Sequence, residues 1–335
     1  MEAHVEASGL ESEFAPTIGL RTSTVQSTLA SKRNARKYWQ RRGLDLNAVS
    51  TSHVLDCGDG IRLTGKHARH AVELSRGLVI LIHGWEGCHD SSYLYSMAAS
   101  LYSAGYNVFR LNLRDHGLTH DLNEEIFHSA RMAEVLGAVQ AIRKLDDSLK
   151  LSVVGFSLGG NFALRVALLG PAHGISPDLT VAVSPAINPG ATLAAIDNGP
   201  LIFRRYFLGR WRATLAAKHR AWPHYDFSVF NGLKSFVETT KQFVTDYTDY
   251  PSYEDYLAQY TLSPEMLMQA PSPVAVITAE DDSVIPIADF RTLEARGSVV
   301  SYQKTALGGH CGFIENWRMD SWAERQTCQL LELHV

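Results

Sequence analysis

The chain has 335 residues, 45% of them hydrophobic and 20% charged, with a formal net charge of −4 at pH 7. Such proportions belong to a globular protein with length enough for one large core and an inserted subdomain, and they exclude a disordered or fibrous chain. The small charge gives no electrostatic case for nucleic acid as a partner. The four cysteines, Cys57, Cys88, Cys311 and Cys328, lack C-x-x-C spacing, so neither a metal site nor a disulfide framework is expected.

Residues 1–50 carry no strand signal and are expected to form an N-terminal extension. Its start holds Glu2, Glu6, Glu11 and Glu13 and no apolar segment, unlike a secretory signal. No apolar run approaches the ~20 residues that span a bilayer. The expectation is a soluble, cytoplasmic protein with free thiols. Between Phe14 and Leu44 there is no acidic residue, but Arg21, Lys32, Arg33, Arg36, Lys37, Arg41 and Arg42 all occur. This stretch is a candidate for peripheral membrane contact, at about 1 kcal/mol per basic residue near anionic lipid. A solvated basic helix face is the simpler reading.

A hairpin is expected from His53–Asp59 and Ile61–His67 across a glycine-containing turn. From there, short apolar runs alternate with segments of helical period. Leu78–Ile82, Asn107–Leu111, Leu151–Phe156, Leu179–Val183, Val274–Thr278 and Val299–Gln303 read as strands, and their near-continuous apolarity suits parallel strands covered on both faces. Leu94, Met97, Ala98 and Leu101 form one helical stripe, and Met132, Val135, Leu136, Val139 and Ile142 form a second. Phe162, Val166 and Leu169 form a third. The alternation predicts an α/β fold, a mostly parallel sheet flanked by helices. Residues 188–270 interrupt it with an aromatic-rich stretch that holds Phe203, Tyr206, Phe207, Trp211, Trp222, Tyr225, Phe227 and Phe230. That length is too great for a plain loop and predicts a folded cap between two parts of the core, 51–187 and 271–335. Aromatics of a cap can line an acyl pocket or form the cap's own core, and both are expected here.

Four segments carry chemistry. Gly155-Phe156-Ser157-Leu158-Gly159 fits G-x-S-x-G and closes a strand just before a helical pattern, the setting in which a strained turn exposes a serine hydroxyl above a sheet. His83-Gly84-Trp85-Glu86-Gly87 follows the strand Leu78–Ile82; the Trp85 amide is a candidate oxyanion donor, together with that of Leu158 after the serine. Two such amides contribute roughly 3–4 kcal/mol each to a tetrahedral oxyanion. The His83 ring is expected to brace its loop. Glu280, Asp281 and Asp282 follow the strand Val274–Thr278, and register relative to Pro286 favours Asp282, with Asp281 second. Gly308-Gly309-His310-Cys311-Gly312 follows the last strand, where glycines allow the His310 ring to swing over the serine; Cys311 is read as a bystander. The order Ser157, Asp282, His310 and the placement of each beyond a strand's C-terminal end point to a catalytic triad. In it Ser157 is the nucleophile, His310 the proton carrier and Asp282 the group that orients the imidazole. No metal or cofactor is expected.

These motifs resemble the α/β-hydrolase superfamily from about Val54 to the C-terminus. Several patches resemble the YheT-like hydrolases more narrowly: His83–Gly87 followed by Ser91, Ser92 and Tyr93; Phe14-Ala15-Pro16 with Leu20 and Gln26; Asp249–Tyr256; and Gly308-Gly309-His310. The resemblance implies the α/β-hydrolase fold and cleavage of a small-molecule carboxylic ester of short to medium acyl chain through an acyl-enzyme. The alternative is acyl transfer to an alcohol on the same triad. Asn112–Gly117 departs from the family's usual loop. An H-x-x-x-x-D acyltransferase pattern starting at His128 would need Asp at the position of Ala133, which counts against acyl transfer.

Overall fold

A computed structural model describes residues 13–71 and 75–335. The early glutamates Glu2, Glu6 and Glu11 lie outside the described residues. Among these, eight strands form one sheet in the order β1-β2-β4-β3-β5-β6-β7-β8. The hairpin β1 (Ser50–Asp56) and β2 (Arg62–Ala68) is antiparallel, and β2 is antiparallel to β4 (Asn107–Asn112). From β4 onward every pairing is parallel, through β3 (Leu78–Ile82), β5 (Leu151–Phe156), β6 (Leu179–Val183), β7 (Val274–Ala279) and β8 (Val299–Thr305). Every residue of β3, β4, β5, β6 and β7 is buried, because helices cover both faces.

The flanking helices are α3 (Ser92–Ser103), α4 (Met132–Leu145), α5 (Leu158–Leu169) and the C-terminal α11 (Trp322–His334). The stripes on α3 and α4 are buried throughout. On α5, however, all residues from Leu158 to Ala167 are buried, whereas Leu169, expected on the apolar face, is exposed. The sheet, α4 and α10 (Pro264–Met268) enclose this helix, and Leu169 sits where the chain leaves it for the turn Gly170–His173.

The N-terminal segment folds onto the core as α1 (Ser23–Lys32) and α2 (Ala35–Gln40). Phe14 packs against Phe313 and Trp322, each at a ring-centroid distance of 5.8 Å. Full burial of one such ring contributes roughly 1.5–3 kcal/mol. The basic run is partly neutralised, by two acids of the core and one of its own segment. Arg33 is buried against Glu324 rather than solvated, Arg36 pairs with Asp45 at 2.9 Å, and Arg42 pairs with Asp320 at 3.0 Å.

Helices α6 (Pro189–Asn198), α7 (Leu201–Ala221), α8 (Phe236–Tyr247), α9 (Tyr253–Ala258) and α10 lie between β6 and β7. Leu215, Phe227, Phe230 and Phe243 form a local core for them with Ile126. One buried ion pair anchors α7 to the sheet's loops. Lys218 Nζ lies 2.9 Å from Asp115 Oδ1, both side chains have no exposure, and the ammonium also donates to the carbonyls of Asn123 and Glu125. Removing one member of such a pair strands the other charge, at a cost of about 3–5 kcal/mol. Lys218→Ala is therefore expected to lower unfolding stability by that amount in urea melts, and Lys218→Met combined with Asp115→Asn is expected to recover part of it.

Candidate active site

The turn from β5 into α5 is shaped by contacts that only glycine tolerates. A Cβ on Gly155 would lie 2.1 Å from the Gly159 carbonyl oxygen, and one on Gly159 would lie 2.3 Å from that of Ile82. Ser157 between them takes φ 54° and ψ −120°, a strained conformation for a residue with a side chain. It is over-determined by its surroundings. The Ser157 amide donates to the Val183 carbonyl at 3.0 Å, and its own carbonyl accepts from Asn161 at 3.1 Å and Ala186 at 3.3 Å.

Three distant loops meet at this hydroxyl. His310 Nε2 lies 2.9 Å from Ser157 Oγ, and His310 Nδ1 lies 2.9 Å from Asp282 Oδ2. A carboxylate can only accept, so in the neutral ring Nδ1 carries the proton and the Nε2 lone pair accepts from the serine hydroxyl. Asp282 is locked by its other oxygen, which accepts from the amides of Val284 at 2.8 Å and Ile285 at 3.0 Å. The neighbouring acids are engaged elsewhere. Asp281 Oδ1 accepts from the Gly309 amide at 2.7 Å, and Glu280 pairs with Lys304 at 2.9 Å. Burial works against protonation of His310, but the Asp282 carboxylate, with a contribution from Cys311, outweighs it. The ring's pKa is raised well above the ordinary 6.5.

The loop after β3 closes the other side. A Cβ on Gly84 would lie 3.2 Å from that of Ser157, so the loop backbone approaches the hydroxyl closely. Most of its polar groups are satisfied internally: Gly84 donates its amide to Tyr93 Oη at 2.8 Å, Gly87 to the Gly84 carbonyl at 2.9 Å, and Glu86 to His116 Nε2 at 3.1 Å. The amide of Trp85, and that of Leu158 in the first turn of α5, donate to no acceptor among the described residues. His83 braces this loop. Its Nε2 accepts from the Leu113 amide, its Nδ1 donates to the Gly84 carbonyl, and burial lowers its pKa to about 4, so the ring is neutral.

Ser157 stands at the junction of two limbs of one cavity. The inner limb is lined by Leu158, Leu193, Ile196, Phe207, Trp211 and Phe236, among others. The outer limb opens between α1 and α7, past Phe203, Tyr206 and Lys32, and includes His310. The aromatics of the insertion thus divide. Phe203, Tyr206, Phe207 and Trp211 face the cavity, and Phe227 and Phe230 fill the cap core, with Tyr225 packed against it. Trp222 instead donates from its indole nitrogen to the His120 carbonyl. Cys311 is buried, its Sγ facing the Val183 carbonyl.

Sequence reasoning missed the N-terminal support of the histidine loop. The His310 amide donates to Ser27 Oγ at 2.8 Å. Gln26, fully buried, accepts from the Ile314 amide and donates to the Ile314 carbonyl. Gly309 and Gly312 lie so close to α1 that a Cβ on either would meet it within 3 Å. Only the small side chains of α1 give a hint of this approach, because the partners are 283 residues apart.

Residues 79–319 match the Alpha/beta hydrolase family. The chain is 25% identical over 313 residues to YheT of Escherichia coli (strain K12), a candidate esterase, with 90% of this chain and 87% of that protein covered. Among solved structures it is similar to the Pyrococcus furiosus esterase Pf2001, with TM-score 0.56, 15% identity, and 85% and 92% of the two chains covered. It is also similar to the serine hydrolase CCSP0084 from Cycloclasticus zankles, with TM-score 0.53, 14% identity, and 85% and 97% covered. At these identities the structural likeness speaks for the fold alone.

Proposed function

Because the chain belongs to the alpha/beta hydrolase family, we propose that it is a serine hydrolase that cleaves carboxylic esters through an acyl-enzyme. The observation that carries this reading is the unbroken line of 2.9 Å contacts from Ser157 through His310 to Asp282, beside two unoccupied amides. Ser157 Oγ attacks the ester carbonyl carbon while its proton passes to His310 Nε2. The carbonyl oxygen becomes an oxyanion and accepts from the Trp85 and Leu158 amides. Collapse of the tetrahedral intermediate breaks the bond to the leaving alcohol, which takes the proton from Nε2. Water then gives a proton to the same nitrogen, attacks the acyl-enzyme and releases the acid, and the proton returns to Ser157. Asp282 holds the Nδ1–H tautomer throughout and stabilises the transient imidazolium.

The inner limb, lined by aliphatic and aromatic side chains, suits an acyl chain of short to medium length. Two measurements test the reading. A fluorophosphonate should add a single phosphonyl group, located on Ser157 by mass spectrometry, and p-nitrophenyl esters of increasing chain length should show a maximum at short to medium chains. A protein that takes no label and turns over no ester rejects it. The apolar lining also favours a second outcome, in which an alcohol replaces water at the acyl-enzyme. Product analysis in excess ethanol decides this, since release of free acid alone excludes transfer.

Ser27 acts in this scheme as a positioning residue. Ser27→Ala removes the acceptor for the His310 amide and is expected to lower kcat roughly tenfold, the effect of about 1 kcal/mol or slightly more in one hydrogen bond. KM should change little, because Ser27 holds the base rather than the acyl chain.

A further inference from the structure

We propose that Glu86 is a recognition site for a hydroxyl group on the ester substrate, set at the junction of the two cavity limbs beside Ser157. The inference rests on the esterase reading above and adds a substrate class to it. Glu86 lines both limbs and is only 8% exposed. Its placement is fixed from three directions. The amide donates to His116 Nε2, the carbonyl accepts from Arg210 Nη2 at 2.7 Å, and Oε2 accepts from Thr214 Oγ1 at 2.6 Å. The last two contacts come from α7, so the carboxyl is held between the loop that carries Trp85 and the cap. Its other oxygen, Oε1, accepts from no described residue.

That arrangement differs from the other buried acids. Glu134 has Arg114, Asp115 has Lys218, Glu324 has Arg33 and Asp146 has the His67 imidazole within ion-pair distance, whereas no described Lys, Arg or His forms an ion pair with Glu86. A carboxyl oxygen that has no protein donor and borders a cavity can gain its donor from a ligand. Burial raises the Glu86 pKa to about 7, against the lowering effects of Thr214 and Arg210. Neutral and ionised forms therefore both occur near neutrality, and Oε1 can accept in either. An ammonium ligand would bring a second desolvated charge into an apolar cavity and would meet the field of Arg210. A carboxylate ligand would be repelled. A hydroxyl supplies the missing donor with the smallest desolvation cost. It can come from the acyl chain or from the alcohol portion of the ester.

Three esters separate these sources: ethyl hexanoate, ethyl 3-hydroxyhexanoate and 2-hydroxyethyl hexanoate, each followed by titration of released acid. The wild type is expected to favour one hydroxylated ester over ethyl hexanoate by about tenfold or more in kcat/KM. The ester preferred tells which portion faces Glu86. Glu86→Leu is expected to bring that ratio to one or below, while Glu86→Gln, which still presents an acceptor, should retain part of it. Any loss common to all three esters, as from a loosened cap, cancels in the ratio. A wild-type ratio of one or less for both hydroxylated esters overturns the proposal, as does a ratio that Glu86→Leu leaves unchanged. If the wild type cleaves none of the three, the esterase reading fails, and the site proposal with it.

Discussion

Ser157→Ala is expected to lower kcat for a p-nitrophenyl ester by about six orders of magnitude, with the protein still folded. In the proposed mechanism the loss is that large because the serine hydroxyl forms the covalent intermediate, and the imidazole has no other nucleophile to activate along its 2.9 Å contact. The backbone at this position is held by its amide bond to Val183 and by the two donors to its carbonyl, none of which involves the hydroxyl. Alanine there keeps the strained turn without adding to it, so thermal or urea stability should stay within about 1 kcal/mol of wild type. The two free amides remain and should leave a rate above the uncatalysed one. Loss of the fluorophosphonate adduct in the same variant ties the label to this residue. Ester turnover by Ser157→Ala at the wild-type rate would remove Ser157 from the mechanism.

Asp282→Asn should cost about four orders of magnitude in kcat near neutral pH. The contacts of this carboxyl explain why an isosteric change is so damaging. Oδ1 accepts from two backbone amides, those of Val284 and Ile285. An asparagine placed here keeps its carbonyl oxygen towards those donors and turns its NH2 towards His310 Nδ1. Nδ1 must then accept, the ring proton moves to Nε2, and the nitrogen that faces Ser157 can no longer take a proton. The pH profile gives an independent readout. In the wild type the active form requires neutral His310, so kcat/KM should rise with pH through a midpoint above 6.5, the direction set by the carboxylate of Asp282. Without that charge, burial remains and disfavours the imidazolium, so the midpoint of the residual activity should move towards acid. An acid limb that stays in place in Asp282→Asn would mean that another group controls it.

The cap and the N-terminal segment give the site its limits. Lys218 reaches from α7 to Asp115 on the loop after β4, and Thr214 and Arg210 from the same helix hold Glu86 on the loop after β3. Helix α7 is thus tied to both loops beside the serine by one buried and two partly buried polar contacts. On the opposite side Ser27 and Gln26 hold the histidine loop. A change in either clamp should reach the reacting groups through geometry rather than through charge.

The sequence by itself determined the parallel strands and the loops that follow them, but not the order of the strands in the sheet. Strands covered on both faces must be continuously apolar, and β3, β5 and β6 stand within the runs Leu78–Ile82, Leu151–Phe156 and Leu179–Val183 for that reason. Gly155 and Gly159 were legible because a local turn imposes a local requirement, which the 2.1 Å and 2.3 Å approaches make explicit. The same locality placed Ser157, Asp282 and His310 each just past a strand end, and the tertiary structure brings these three together. What the chain order left open was decided by contacts between distant segments. Asp282 rather than Asp281 meets the imidazole because the amides of Val284 and Ile285 orient one carboxyl, while Gly309 captures the other. The burial of α5 on all sides, the seat of Lys218 against Asp115 and the bond from His310 to Ser27 leave no trace in periodicity, since each depends on a surface supplied by another part of the fold. Patterns in a sequence record what each residue needs from its neighbours in the chain, whereas the orientation of a buried polar group is set by partners that only folding brings within 3 Å.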